Sequence, residues 1–310
     1  MTRHRPLPSH HVFDRLSAYH ASHRPLPVAV CHPCSEVALR ATLEAAEHGL
    51  IEPTLVGPVA EMRSCAADAG LDLGPYALLD VRDDVEAAVK AVELCRLGKA
   101  QALMKGTLHT DVLMREVVRR DGGLETSRRI SHVTVLDAPA YPRPLLMSDA
   151  AVNISPTLEE KVDIVLNAID LARVLHIDEP KIAVLSAVET VTPKIASTID
   201  AAALCKMADR GQIVGAIVDG PLAFDTAVSS EAARIKQLVS PVCGQADVLI
   251  VPDLESGNML AKQLEYLGGA KGAGIVLGAR VPIILTSRAD SAEMRLASAA
   301  LAVMFVNARG

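Results

Sequence analysis

Ser287 and Arg288 follow directly on an aliphatic run, Pro282–Leu285, and precede a helical pattern that opens at Ser291. That placement suits an anion. Backbone N–H groups at a helix N-terminus favour negative charge, a guanidinium is a planar fork that matches phosphate oxygens, and a serine hydroxyl adds a short donor. The same Ser also fits a helix cap. A second group, Lys105-Gly106-Thr107, follows the run Ala100–Met104, with His109 and Asp111 just beyond it. Lys105 and the loop N–H groups could hold phosphate, and Thr107 could donate a hydrogen bond to it. Carboxylates and small polar residues close several other runs: Asp137, Ser148-Asp149, Asp219-Gly220-Pro221, and Asp253 with Asn258. Any one of these fits an ordinary turn. As a set, one Lys, one Arg, Ser and several Asp exceed what turns require.

The elements that would position these residues alternate regularly. Short aliphatic runs ending in Gly, Pro or Asp read as buried parallel strands: Pro27–Cys31, Thr54–Val56, Ala77–Leu79, Ala100–Met104, His132–Leu136, Leu145–Met147, Ile182–Leu185, Ile213–Val218, Val248–Val251, Gly274–Leu277 and Pro282–Leu285. Helical patterns lie between most of them. Ser35–His48 opens on a Ser N-cap candidate, Asp83–Cys95 on two carboxylates that favour a helix start, Thr157–Leu175 on Thr then Glu159 and Glu160, and Ser291–Val306 closes the chain. The order predicts an α/β fold with mostly parallel sheets flanked by helices. In such a fold ligands bind beyond the carboxyl ends of the strands, where the polar residues above fall. The first residues, MTRHRPLPSHH, carry no periodicity and read as an extension, with a short helix expected before His23.

Composition removes several function classes. The chain has 310 residues, half of them apolar, but no Trp, three Phe and four Tyr. Single-stranded nucleic acid and sugar platforms need stacking rings that are scarce here. The net charge of −6, without a basic block, argues against phosphate-backbone binding. No apolar run reaches the roughly 18–20 residues of a membrane span, and no secretory leader is evident. Six scattered cysteines fit a reducing cytoplasm. Cys31 and Cys34 form the one CxxC pair, without a second pair or spaced histidines for zinc, and read as a strand-to-helix turn. The glycine-rich stretch Gly268–Gly274 fits neither GxGxxG nor GxxxxGK[ST], and it precedes a strand instead of following one. GxSxG and HExxH are absent.

Several ordered segments resemble the phosphate acetyltransferase/phosphate butyryltransferase family. VPDLESGNMLAKQLEYLGGAKGAGIVLGARVPIILTSRADSAE, residues 251–293, carries P-D-L-x-x-G-N, L-G-G-A, G-x-x-x-G-x-x-x-P and S-R in that order. MKGTLHTDVLMREVV with SHVTVLDAP, the segment from LLMSDAAVNISPTLEEK onward, and IVDGPLAFDTAVS extend the likeness over roughly residues 25–305. The K-G and S-R-A-D-S details are closer to the butyryltransferase branch. The resemblance implies the reaction acyl-CoA + phosphate ⇌ acyl phosphate + CoA, with an acetyl or butyryl group, by direct transfer in a cleft between two domains. It implies an isocitrate/isopropylmalate dehydrogenase-like architecture, a homodimer, CoA as a substrate with no tightly bound cofactor, and no metal, nucleic-acid or membrane partner. On that basis the first domain is expected over 1–146 plus 287–310 and the second over 147–286.

Acyl transfer needs recognition of phosphate, a base for the CoA thiol, donors to the carbonyl oxyanion, and orientation of both substrates. The resemblance places Ser287 and Arg288 at the reacting groups and lines the cleft with Ser148, Asp149 and Asn153. Lys105, Gly106, Thr107, Asp219, Asp253 and Asn258 complete the expected substrate-binding set. The acetyltransferase branch carries an Asp seven residues after its motif Ser; here that position is Met294, and Asp290 and Glu293 stand as the nearest carboxylates. The Arg that precedes L-G-G-A in that branch is replaced by Tyr266. Two alternatives remain open on sequence: a metal-dependent NAD(P) oxidoreductase of the same fold, with Asp219 and Asp253 as ligands, and a non-catalytic acyl-CoA-binding subunit.

Overall fold

The computed structural model describes residues 15–16, 19, 24–287 and 290–309. Its strands are the eleven expected ones: β1 (Leu26–Cys31), β2 (Ile51–Gly57), β3 (Ala77–Asp80), β4 (Ala102–Lys105), β5 (Ser131–Asp137), β6 (Leu145–Ser148), β7 (Lys181–Leu185), β8 (Ile217–Leu222), β9 (Val248–Ile250), β10 (Lys271–Leu277) and β11 (Ile283–Ile284). The helices are α1 (Glu36–Glu47), α2 (Val59–Asp68), α3 (Asp84–Arg96), α4 (Thr110–Val117), α5 (Leu158–Val174), α6 (Ala196–Asp209), α7 (Phe224–Val228), α8 (Ser230–Ile235), α9 (Leu254–Tyr266) and α10 (Ala292–Asn307).

Side-chain caps explain where the long helices begin. Ser35, Asp83 and Ser291 each accept a backbone N–H three residues on. Thr157 and Glu160 form a reciprocal capping box that starts α5.

The chain packs as two compact units. The flanking unit takes the described residues up to Arg129 and those from Ala273 onward; the middle unit takes Ile130–Gly272. These divisions fall earlier than the 146/147 and 286/287 boundaries suggested by the sequence. The pairings account for the difference. β5 pairs antiparallel with β6, which pairs parallel with β9, so both go with the middle unit. β11 pairs with β4, so the segment before Ser287 goes with the flanking unit.

In the flanking unit the strand order is β3-β2-β1-β4-β11-β10. The first five run parallel and only β10 is reversed. Its core is Val28, Val30, Leu103, Ile283 and Ile284, covered by the alanine-rich face of α10 that packs on α1. In the middle unit the order is β5-β6-β9-β7-β8, around Leu136, Met147, Ala183, Leu222 and Leu249. Small aliphatic side chains permit this close strand and helix packing without rings.

One strand departs from expectation. Residues 213–216 do not start a strand. Ile213 closes the end of α6, its N–H bonding Met207 O, and Gly215 turns the chain at φ +83°. β8 therefore begins at Ile217 and carries Asp219-Gly220-Pro221 inside it, not beyond its carboxyl end. The glycine-rich stretch becomes the start of β10, where Gly274 N–H donates to Ser298 Oγ. Among the described residues no helix is long and apolar enough to cross a membrane.

Candidate functional site

Three parallel strands of the flanking unit deliver polar residues to one edge. Cys31 of β1 pairs with Lys105 of β4, and Met104 with Ile284 of β11. The carboxyl ends of β1, β4 and β11 therefore lie side by side, followed by His32-Pro33-Cys34, Gly106-Thr107 and Ser287. Gly106 is required where the first two loops meet: a Cβ there would sit 2.3 Å from His32 O. Gly106 N–H bonds Cys31 O, and Thr107 N–H bonds His32 O.

The Thr107 hydroxyl fixes the histidine. Oγ1 lies 2.6 Å from His32 O, a contact that requires the hydroxyl hydrogen between them. Oγ1 therefore only accepts in its other two contacts, from Cys34 N–H at 3.1 Å and from His32 Nδ1 at 3.1 Å. Nδ1 must carry the hydrogen, and in the neutral ring Nε2 is left as a bare lone pair. His32 is half-buried and holds φ +54°, a left-handed conformation unusual for a side chain of this size. The sequence marks His32 only as one residue of a turn. Its available signal is a histidine in the first position after a central strand. Thr107 was expected to donate to phosphate; its one hydrogen is used within the protein.

Lys105 is buried, and its ammonium donates to Gly106 O and Leu108 O. His109 is the N-cap residue of α4 without a side-chain capping bond, and Asp111 pairs with Arg115 on the exposed surface.

Ser287 is exposed beyond β11. Its N–H bonds Asp290 Oδ2 at 2.7 Å, so Asp290 braces this loop. Arg295, on the buried face of α10, holds the loop from beneath: it donates to Thr286 Oγ1, Ser287 O and Asp290 O. Burial pulls its pKa below the ordinary guanidinium range, opposed by Asp290. Nothing in the sequence singled out Arg295, which stands among apolar helical positions. Glu293 is exposed in the first turn of α10. Arg288 lies outside the described residues.

Burial disfavours the thiolate form of both cysteines of the CxxC pair. Burial, reinforced by Glu61 and Cys65, pushes Cys34 up to about 12, and burial with Asp84 raises Cys31 further. Glu61, on α2, comes near His32 and Cys34: one ligand-type atom from each lies within 4.8 Å of the other two. The carboxylate adds negative charge beside the imidazole.

In the middle unit the expected ligands brace loops. Ser148 Oγ donates to His132 O. Asp149 is buried, one oxygen taking Ala151 and Val152 N–H and the other Asn153 N–H and Nδ2. Asn153 also donates to Ile130 O. Asp253 caps α9 through Ser256 N–H and Oγ. Gly257 lets α9 approach this loop, since a Cβ there would stand 3.1 Å from Asp149 O, and Asn258 bonds Ala150 O. Asp219 accepts the N–H of Gly220.

A family profile described as "Phosphate acetyl/butaryl transferase" matches residues 81–303. The chain belongs to the phosphate acetyl/butyryl transferase family. It is 57% identical to a phosphate acetyltransferase of Rhizobium meliloti over 96% of this chain and 94% of that protein. It is 42% identical to a phosphate butyryltransferase of Clostridium acetobutylicum over 89% of this chain and 92% of that one. The crystal structure of a branched-chain phosphotransacylase from Enterococcus faecalis V583 superposes with a TM-score of 0.79 at 32% identity, covering 91% of this chain and 99% of its own. Membership in this family makes the protein a phosphate acyltransferase and decides among the three readings that the sequence left open. At this edge burial disfavours the Cys34 thiolate, and the imidazole lone pair of His32 offers a base.

Proposed function

We propose that acyl transfer between CoA and phosphate takes place directly at the carboxyl edge of β1, β4 and β11, with His32 moving the proton. In the thioester-forming direction Nε2 takes the CoA thiol hydrogen. The thiolate attacks the carbonyl carbon of the acyl phosphate, the C–S bond forms, the C–O bond to phosphorus breaks, and the departing phosphate takes the proton from the imidazolium. The reverse reaction runs the same steps backwards. Lys105 supplies positive charge at the edge, Ser287 a hydroxyl donor, and Arg288 the guanidinium fork expected for phosphate. Asp290 and Arg295 set the loop that carries Ser287. The observation that carries the assignment of the base is the donation of the Thr107 hydroxyl to His32 O, which leaves Nε2 free. CoA is a substrate in this reading, not a resident cofactor, and the protein works as a cytoplasmic homodimer.

Acetyl-CoA is the proposed acyl donor. The higher identity to the acetyltransferase supports it, while the K-G and S-R-A-D-S details are the features nearer the butyryl branch. Acyl phosphate formation measured with acetyl-, propionyl- and butyryl-CoA separates the two. The reading expects the largest kcat/KM with acetyl-CoA and strict dependence on phosphate or arsenate. His32→Ala is expected to lower kcat about 10²-fold or more, the range of a general base. A His32→Ala enzyme with unchanged turnover refutes the base, and full activity of Arg288→Ala refutes the phosphate fork.

A further inference from the structure

The opposite edge of the flanking unit holds a second concentration of cations. Arg96 ends α3 just before β4, Arg119 and Arg120 follow α4, and Arg280 stands between β10 and β11. With Gly122 and Glu125 they line a cavity of about 330 Å³. The chain is stitched together there, since Arg280 N–H bonds Leu124 O and Thr126 Oγ1 bonds Gly278 O at 2.6 Å.

The place in the fold separates this cavity from the acyl-transfer edge. α4 starts after the carboxyl end of β4 and runs back, so its last residues return to the amino end of that strand. β11 is parallel to β4, so Arg280, three residues before Ile283, lies at the amino end as well. A four-residue strand such as β4 spans roughly 13 Å, and His32, Lys105 and Ser287 stand at its far side.

Charge states what the cavity fits. Among the described residues, Arg119 alone of the four forms an ion pair, with Glu116 at 3.0 Å. Even with Glu116 and Glu125 set against the four guanidinium groups, the cavity carries a positive excess in a chain whose net charge is −6. Guanidinium forks match phosphate oxygens bidentately. No ring and no large apolar side chain lines the wall, so a nucleoside base has nothing to stack on. The volume is at the small end of ligand pockets and suits a chain of linked phosphates alone.

We propose that this arginine cavity binds a small polyphosphate anion, recognised through its phosphate chain, at a site separate from the acyl-transfer edge. Inorganic tripolyphosphate and the triphosphate of a nucleotide present the same chemistry. Isothermal titration of the full-length protein with tripolyphosphate, at low ionic strength and without added inorganic phosphate, tests it. The expected result is binding to wild type that weakens with salt, an affinity for ATP within about threefold of that for tripolyphosphate, and no binding of adenosine or citrate. Arg96→Gln/Arg280→Gln is expected to bind at least tenfold more weakly while basal acyl transfer is unchanged. Should that variant fail to fold, Arg120→Gln, at an exposed position, carries the same expectation at a smaller factor. Absence of binding to wild type, or equal affinity in the folded variants, overturns the site. Citrate binding as tight as tripolyphosphate, or tight binding of adenosine, overturns the ligand class. Competition by CoA overturns its separation from the acyl-transfer edge.

Discussion

Replacing Thr107 with Val keeps the shape of the side chain and removes the hydroxyl that organises His32. Three hydrogen bonds go with it: the 2.6 Å donation to His32 O and the two acceptances from Cys34 N–H and His32 Nδ1. At about 1 kcal/mol net for each, the folded state loses about 2–3 kcal/mol, since the loop is only partly buried. The effect on turnover is separate. Without an acceptor at Nδ1 the ring is free to place its hydrogen on Nε2 or to rotate, and about 1 kcal/mol of lost bias is about a fivefold loss of kcat. Loss of orientation adds to this, up to the roughly 10²-fold expected for His32→Ala. Thr107→Ser keeps the hydroxyl and is expected to stay within about threefold of wild type. The assay is thioester formation from acyl phosphate and CoA, with urea unfolding run in parallel. A base acting through Nε2 predicts a kcat that is kept in Thr107→Ser, lowered in Thr107→Val and lowest in His32→Ala. If Thr107→Val folds and turns over within about twofold of wild type, or if Thr107→Ser fails as badly as Thr107→Val, the tautomer lock does not operate.

Three further substitutions probe the same unit. Gly106→Ala brings a methyl group to 2.3 Å from His32 O; the two loops must part, at about 1–3 kcal/mol, and the urea midpoint and kcat fall together, whereas unchanged values would mean that the loops do not abut. Arg295→Leu removes the donors to Thr286, Ser287 and Asp290; because these acceptors are neutral and burial already disfavours the cation, stability is expected to fall by only about 1–2 kcal/mol while kcat/KM drops at least tenfold, and full activity would show that the loop holds itself. Burial raises Cys95 from the ordinary thiol value of 9.0 to about 12. The folded chain thus keeps a proton that the unfolded chain releases, and stability is lost as pH rises from 9.0 towards 12, at about 1.4 kcal/mol per unit for this one group. Cys95→Ala should flatten the measured slope by that amount, and an identical slope would show that the thiol ionises in place.

The elements that were legible in sequence are those with two signals in agreement. α3 has both a carboxylate cap at Asp83 and an apolar stripe, α5 has Thr157 and Glu160 three apart before its stripe, and each central strand is an unbroken aliphatic run. β8 was displaced because Ile213 and Val214 look like strand residues in a one-dimensional pattern, whereas Ile213 is buried by closing α6 and the turn at Gly215 resets the chain. At the candidate site, the strand-end rule located the edge but not the roles upon it. His32 and Thr107 are 75 residues apart, and no local pattern announces that the hydroxyl of one fixes the ring of the other. Arg295 was hidden for the converse reason: its neighbours Ala297, Ser298 and Ala299 describe a buried helix face, and a cation on such a face is understood only once Thr286, Ser287 and Asp290 are seen above it.

The residues that resemble the family's motifs divide by what their hydrogen bonds leave over. In the middle unit Asp149 has both oxygens engaged, and Asp253, Gly257 and Asn258 pin the start of α9 to the loop it supports. Carboxylates bound in this way fix backbone, so their removal should first loosen a loop. In the flanking unit the same density of bonds around Thr107 ends differently. Every hydrogen and lone pair of that hydroxyl is matched, and among the described residues the ring nitrogen beyond it is not. Chemistry requires a group that is held rigidly and is still unsatisfied. Among the described residues Nε2 of His32 meets both conditions at the carboxyl edge of the central strands, while Asp290 spends one oxygen, Oδ2, on the Ser287 N–H. The proposed base is therefore His32, directly after β1, where the Thr107 hydroxyl sets the tautomer of the imidazole.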